Sequence, residues 1–132
     1  LAGAQLLATS LAAEARLLGT AASIQTISTN ANNQDVVSMG CTAAKMTRTA
    51  LPLLWKLVAI EAITLAQAAD MRGRKDVMGG DYRKLYDVVR GVSPTLQQDR
   101  PLTEDIARVT ELLQSEEVRQ QCLGPDQNDE AD

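Results

Sequence analysis

Four side-chain amides lie close together near residue 30 and are well suited to bind a small molecule. They are Asn30, Asn32, Asn33 and Gln34, and Asp35 follows them directly. A side-chain amide can both donate and accept hydrogen bonds. If a helix begins near Asp35, its unpaired N–H groups and partial positive charge lie beside these amides. Such a place suits a ligand that carries a carboxylate, an amine or developing negative charge.

The same residues have a simpler structural interpretation. Asn and Asp before a helix usually act as helix caps and turn formers, and the residue pattern alone favours that role. Glu61 and Asp70 are expected in ion pairs or caps rather than in acid–base catalysis, because no partner for proton transfer is evident in the sequence. Tyr82 and Tyr86 lie four residues apart on one predicted helix face, which favours packing in a core or an interface.

The segments around the amides predict an all-α chain. Phe is absent, Trp occurs once and Tyr twice, so Ala, Leu, Ile, Val and Met must form the core. Ala and Leu are strong helix formers, and small side chains let helices approach closely. Residues 20–34 are dense in Ser, Thr, Asn and Gln and predict a polar loop. Helices are predicted over residues 1–18 and 35–72, and Asp81, Thr103 and Ser115 are predicted to cap three shorter ones.

The helix predicted over residues 35–72 is long for a chain of this size. Asp35 or Asn33 could cap its first turn, and Pro52 predicts a kink near residues 48–52. About 37 helical residues at 1.5 Å each extend roughly 55 Å. A compact domain of this chain length measures about 35 to 40 Å across. We therefore expect an elongated helical bundle in which this kinked helix has partners outside the chain, followed by short carboxy-terminal helices.

Charge and composition argue against several classes of function. The formal net charge is -4, and no basic stripe is present, which argues against non-specific binding of nucleic acid. The last residues, 126–132, are rich in Asp and Glu and predict a disordered acidic tail after a helical segment of residues 1–125.

The cysteines and the apolar segments exclude further classes. There is no His, and Cys41 and Cys122 are far apart in sequence, so a zinc site of the usual Cys/His type is excluded. A pair of buried, reduced thiols is expected rather than a disulfide. No secretory signal and no uninterrupted apolar stretch of 18 residues is evident, which predicts a chain that does not cross a membrane.

Residues 33–40, which read N-Q-D-V-V-S-M-G, resemble a known family segment. The pattern N-Q-[DE]-x-x-S-[ML]-G is typical of histidine, phenylalanine and tyrosine ammonia-lyases and of the related aminomutases. The resemblance continues in register on both sides and covers nearly the whole chain. The supporting segments are residues 10–14, 20–23, 57–61, 66–73 and 99–102.

The resemblance implies a carboxy-terminal segment of a larger enzyme. Members of this family remove ammonia from an amino acid or move its amine from the alpha to the beta carbon. They use an electrophilic methylidene-imidazolone made from an internal Ala-Ser-Gly. They are all-helical, cytoplasmic homotetramers whose active sites take residues from three chains, which agrees with the independent argument from helix length.

The resemblance also assigns roles to three residues of the amide cluster. Gln34 matches a position that is Glu in histidine-specific lyases and Gln in enzymes that act on phenylalanine or tyrosine, so a catalytic role near the substrate amine is implied for it. Asn33 and Asn30 match positions that line the same pocket and bind the substrate. No metal and no cofactor are expected within this chain.

One departure limits the implied activity. The 132 residues contain no Ala-Ser-Gly, so this chain cannot form the electrophile and is expected to be inactive alone. An alternative is a non-catalytic helical oligomerisation module, and a third possibility is a small-molecule binding protein that uses the amide loop. The sequence leaves lyase against aminomutase, and phenylalanine against tyrosine, open.

Overall fold

The computed structural model describes residues 1–73 and 75–123, and within these ranges the chain is all-α. Two short 3-10 helices, Ala22–Gln25 and Lys75–Val77, lie in the connections. Across the described ranges the only extended pairing is one isolated bridge between Thr29 and Gln34. The five helices are α1 (Ala2–Leu18), α2 (Gly40–Arg72), α3 (Gly80–Val92), α4 (Thr103–Leu113) and α5 (Glu116–Leu123).

The predicted helix ends agree well with the structure because local chemistry fixes them. The N–H of Gly19 donates to the carbonyls of Ala15 and Arg16, each at 3.1 Å, and closes α1. Gly73 ends α2 in the left-handed region at φ 59°, where glycine has no Cβ to clash. The predicted stop at Gly124-Pro125 and the acidic tail 126–132 lie outside the described residues.

One predicted helix start and two predicted caps of shorter helices are wrong. Helix α2 begins at Gly40 rather than near Asp35, and neither Asp35 nor Asn33 caps it, because Met39 occupies the cap position without a side-chain hydrogen bond. Asp81 and Thr103 lie inside α3 and α4 rather than capping them. Ser115 does cap α5, since its hydroxyl accepts a hydrogen bond from the N–H of Val118 at 3.4 Å.

Helix α2 is the element on which the others pack. It continues through Pro52, and all of its buried residues lie between Ala59 and Gln67. Helices α1, α3 and α4 pack against it, and α5 packs against α3. The resulting core consists of small and branched side chains and one tyrosine: Leu11, Ala59, Ile60, Ile63, Ala66, Tyr86, Val89, Ile106 and Val109.

Much of the apolar surface of α2 is not covered within the described chain. The helix has 33 residues and so extends about 50 Å. Its exposed apolar side chains recur at helical spacing along one stripe, with exposed fractions from 37% to 62%. This finding agrees with the expectation that the helix requires partners beyond this chain. The stripe consists of Leu51, Leu54, Trp55, Val58 and Leu65.

The structure corrects the expected burial of Cys41 and bears on the expectations for α2 and for the two tyrosines. An 18-residue window of α2 has a mean hydropathy of 1.6, so by length and composition alone this helix could cross a membrane. Lys56 and Glu61 interrupt the apolar run in the sequence, but the mean hydropathy of the window stays high because its other residues are mostly apolar. Cys41 is exposed in the first turn of α2 rather than buried. Tyr86 is buried as expected, but Tyr82 is 76% exposed on this chain.

Candidate functional site

The amide cluster forms a tight turn closed by one pair of backbone hydrogen bonds. Thr29 and Gln34 exchange N–H···O bonds of 3.1 and 3.3 Å, and the N–H of Asn33 donates to the carbonyl of Asn30 at 3.0 Å. Residues 30, 31 and 32 have φ angles of 53°, 51° and 65°. Asn tolerates this left-handed region because its short side chain can bond locally, whereas Ala31 adopts it at a cost. The turn therefore reverses the chain within four residues.

Two hydroxyl groups hold side-chain amides inside this turn. The Thr29 hydroxyl donates to the Gln34 side-chain carbonyl oxygen, Oε1, at 3.2 Å. The Ser28 hydroxyl donates to the Asn32 Oδ1 at 2.9 Å. In both cases a carbonyl oxygen is occupied from within the turn. The NH2 group of Gln34 has no hydrogen-bond partner among residues 1–73 and 75–123, and it remains available as a donor.

A third hydroxyl ties the turn to the chain that follows it. The N–H of Val37 donates to the Thr26 Oγ1 at 2.9 Å, and residues 36–39 lead to α2 outside any helix. This contact keeps residues 35–39 out of the helix, which explains the late start of α2. The amides therefore do not lie at a helix N-terminus, and the expected help from the helix dipole does not apply to them.

The structure brings Asn30, Asn33 and Gln34 into one turn, and all three are exposed on this chain. None of four grooves among the described residues is lined by these amides. The large grooves lie elsewhere, one of about 690 Å³ between α1 and α2 and one of about 470 Å³ between the start of α1 and residues 99–106. Neither groove reaches the amides.

A polar network that the sequence did not predict lies at the other end of α2. Asp70 accepts hydrogen bonds from Thr95, at 2.7 Å, and from the Tyr86 hydroxyl, and it forms a 2.7 Å ion pair with Arg90. Burial alone raises the pKa of Asp70, but the hydrogen bonds and the positive charge outweigh burial and lower that pKa below its usual value. The expectation that Asp70 is ion-paired is confirmed.

The same network attaches the segment after α3 to α2. The Gln67 side chain donates to the Leu96 carbonyl at 3.0 Å and accepts from the Leu96 N–H at 2.9 Å. These two hydrogen bonds fix the loop, and the Arg90 guanidinium also donates to the Gln67 Oε1 at 3.3 Å. Gln67 and Asp70 are one helical turn apart, which is the spacing that could have indicated a shared polar partner.

A second carboxylate anchors the start of α4. Arg100 forms a bidentate pair with Asp105, with distances of 2.8 and 2.7 Å, and Ser93 donates to Asp105 at 2.7 Å. The hydrogen bonds from Arg100, and then that from Ser93, lower the pKa of Asp105 against the effect of burial. Both carboxylates, the half-buried Asp70 and the buried Asp105, thus have cations and hydroxyls as partners. Within the described part of the chain no cluster of side chains could hold a metal ion.

Comparisons with known proteins agree with the resemblance of the amide segment. The family model for aromatic amino acid lyases matches residues 1–91. The chain is 43% identical over 112 residues to an MIO-dependent tyrosine 2,3-aminomutase of Streptomyces globisporus, covering 85% of this chain and 21% of that protein. It is 45% identical over 119 residues to a tyrosine ammonia-lyase of Cereibacter sphaeroides, covering 88% and 23%.

Histidine ammonia-lyases are more distant relatives, such as one from Fusobacterium nucleatum at 34% identity over 84% of this chain and 22% of that protein. A crystal structure of the tyrosine aminomutase from Streptomyces globisporus superposes with a TM-score of 0.77 at 43% identity, over 85% of this chain and 21% of that one. The chain spans about a fifth of the length of these relatives. With a family model that matches most of its length, the chain belongs to the aromatic amino acid lyase family.

Proposed function

We propose that this chain is the carboxy-terminal part of an ammonia-lyase or 2,3-aminomutase that acts on an aromatic amino acid, tyrosine or phenylalanine. The observation that carries the proposal is the turn at residues 29–34, which gathers Asn30, Asn33 and Gln34 and leaves them uncovered. Tyrosine is the favoured substrate because the relatives named for tyrosine are 40% to 45% identical to this chain, against 34% for the histidine ammonia-lyase of Fusobacterium nucleatum.

Gln34 is proposed as the catalytic residue of this segment. Its carbonyl oxygen is held by Thr29, so its NH2 group faces away from the turn and can donate to a substrate or intermediate. An uncharged amide at this position suits a neutral aromatic substrate, whereas a carboxylate could pair with an imidazole. Asn30 and Asn33 are proposed to bind the substrate amine from the same turn.

Other polypeptide segments are proposed to complete the site. The amides are exposed, and the stripe of α2 leaves large apolar side chains in water, which is costly unless other helices cover them. A cytoplasmic homotetramer, in which the first half of α2 joins a shared helical bundle, satisfies both features. In that assembly α2 is a packed interior helix and needs no membrane.

The electrophile is proposed to come from a part of the enzyme that precedes this segment. The residues present do not fit its formation, because Ala-Ser-Gly does not occur in the 132 residues. When present, a methylidene-imidazolone withdraws electrons from the substrate and makes its amine a better leaving group. The role of this chain is to orient the substrate, donate hydrogen bonds and exclude water.

The coding region upstream of this segment and the activity of its product test the proposal. We expect an in-frame Ala-Ser-Gly and a full-length protein that converts tyrosine to an unsaturated acid or a beta-amino acid, whereas the isolated 132-residue chain does not. Gln34→Ala in the full-length protein should lower turnover about 10²-fold, the scale of a lost catalytic group. An upstream region without Ala-Ser-Gly would remove the catalytic claim.

A second candidate is a non-catalytic helical oligomerisation module, which the uncovered stripe on α2 favours. Under that alternative Gln34→Ala changes local stability alone, and the full-length protein shows no turnover with or without the substitution. Self-association would persist in both proteins. Measured turnover that depends on Gln34 therefore separates the two candidates.

A further inference from the structure

Thr29 contacts Gln34 through both its backbone and its side chain. The two residues exchange backbone hydrogen bonds of 3.1 and 3.3 Å, and the Thr29 hydroxyl donates to Gln34 Oε1 at 3.2 Å. No other residue in the described ranges has a recorded side-chain hydrogen bond to Gln34. The position of this carboxamide therefore depends on one neighbour.

The contact is of a kind that decides the direction of an amide. The two ends of a carboxamide differ only in which one donates and which one accepts, and a hydrogen-bonding neighbour selects between them. A donating hydroxyl next to Oε1 directs the carbonyl towards Thr29 and the NH2 group outward. An exposed Gln without such a contact samples many rotamers, and fixing them costs conformational entropy.

The backbone of the turn maintains this geometry. The left-handed φ angles of residues 30–32 reverse the chain so that residues 29 and 34 face each other. Ser28 provides an internal comparison, since its hydroxyl binds Asn32 Oδ1 at 2.9 Å and does not contact Gln34. One hydroxyl thus shapes the turn, and the other holds the side chain proposed to act on substrate.

We propose that Thr29 is a positioning residue for Gln34: its hydroxyl holds the carboxamide with the NH2 group directed to the substrate. This inference rests on the role proposed for Gln34. Thr29 itself does not touch the substrate and acts through the amide it orients. A donor that is held in place costs no reorganisation when the reaction occurs, so the benefit falls on the chemical step.

Steady-state kinetics of three variants of the full-length enzyme test the inference. Thr29→Val keeps the branched shape and removes the hydroxyl, and it should lower kcat about fivefold to tenfold, the scale of one neutral hydrogen bond. KM for tyrosine should change less than twofold. Thr29→Ser restores the hydroxyl and should recover most of the lost kcat. Ser28→Ala, the matched control, should leave kcat within twofold.

A double-variant comparison separates positioning from general loop order. In a Gln34→Ala background, Thr29→Val should lower kcat by less than a further twofold, because the group it orients is gone. A full additional loss there, an equal loss in Ser28→Ala, or no loss in Thr29→Val would overturn the inference. If Thr29→Val does not fold, Thr29→Ala takes its place in both comparisons with the same expected losses.

The outcome also distinguishes this inference from the proposed function. Normal turnover in Gln34→Ala contradicts the role of Gln34 and with it both proposals. A strong loss in Gln34→Ala together with normal turnover in Thr29→Val leaves the proposed function standing and removes the positioning role alone.

Discussion

At the scale of single residues, the chain separates side chains that are satisfied from side chains that are left open. Asp70 and Arg90 are largely buried, with side-chain exposed fractions of 16% and 11%, and each needs the other. Arg90 also donates to the Ser93 carbonyl at 2.8 Å, while its Nε has no partner among the described residues. Gln34, by contrast, has a free donor on the surface. Apart from Arg90 Nε, the polar groups of this structural pair are thus hydrogen-bonded, whereas the proposed catalytic amide keeps a free NH2 group.

The Asp70–Arg90 pair should contribute measurably to stability. Asp70→Asn leaves Arg90 buried without a counter-ion, so we expect a loss of about 2 to 3 kcal/mol, seen as a thermal midpoint several degrees lower in the full-length protein. Asp81→Asn is the matched control, because Asp81 is an exposed carboxylate paired with Lys84 at 3.1 Å. Its midpoint should change little.

The pH dependence of this difference follows from the lowered pKa of Asp70. A carboxylate whose pKa is lower in the folded state stabilises the fold above its unfolded pKa, about 4, and the contribution is lost as pH falls through the folded value. The difference in midpoint between wild type and Asp70→Asn should therefore be constant above about pH 5 and shrink below about pH 4. A difference that does not shrink in acid would contradict the assignment.

At the scale of elements, α2 serves two purposes along its length. Its carboxy-terminal half supplies the core of this chain, and its exposed stripe faces away from that core. The sequence predicted the end of α2 but not its start. The end of α2 is marked by Gly73, which is a local signal. The start of α2 depends on a contact between Thr26 and Val37, which are 11 residues apart. Helix propensity does not include contacts at that separation.

The stripe of α2 should be required for assembly of the full-length protein. Leu54→Lys places a charge among exposed apolar side chains and, if other helices cover them, should dissociate the oligomer as measured by light scattering on a sizing column. Thr49→Lys adds the same charge at an exposed polar position on another face of α2 and should be tolerated. An unchanged assembly in Leu54→Lys would show that this stripe is not an interface.

At the scale of the whole molecule, the chain folds around a small core and leaves the apolar stripe of α2 and the amide turn exposed. The sequence predicted the all-α fold and the overlong helix because composition and helical period are local signals, whereas the roles of Asn30, Asn33 and Gln34 stay a prediction from the amide motif. It did not predict the partners of Asp70 and Asp105, since Arg90 lies 20 residues beyond Asp70 and only folding brings the two together. Nor could it show that the amides belong to a closed turn rather than to a helix start.

The central claim is that this turn borders a pocket that other polypeptide segments complete. A crystal structure of the full-length protein with tyrosine bound tests that claim most directly. The account predicts that Gln34 is buried in the assembly, with its NH2 group within about 3 Å of the bound amino acid or the electrophile. A turn that still faces water, with the ligand bound elsewhere, would contradict it.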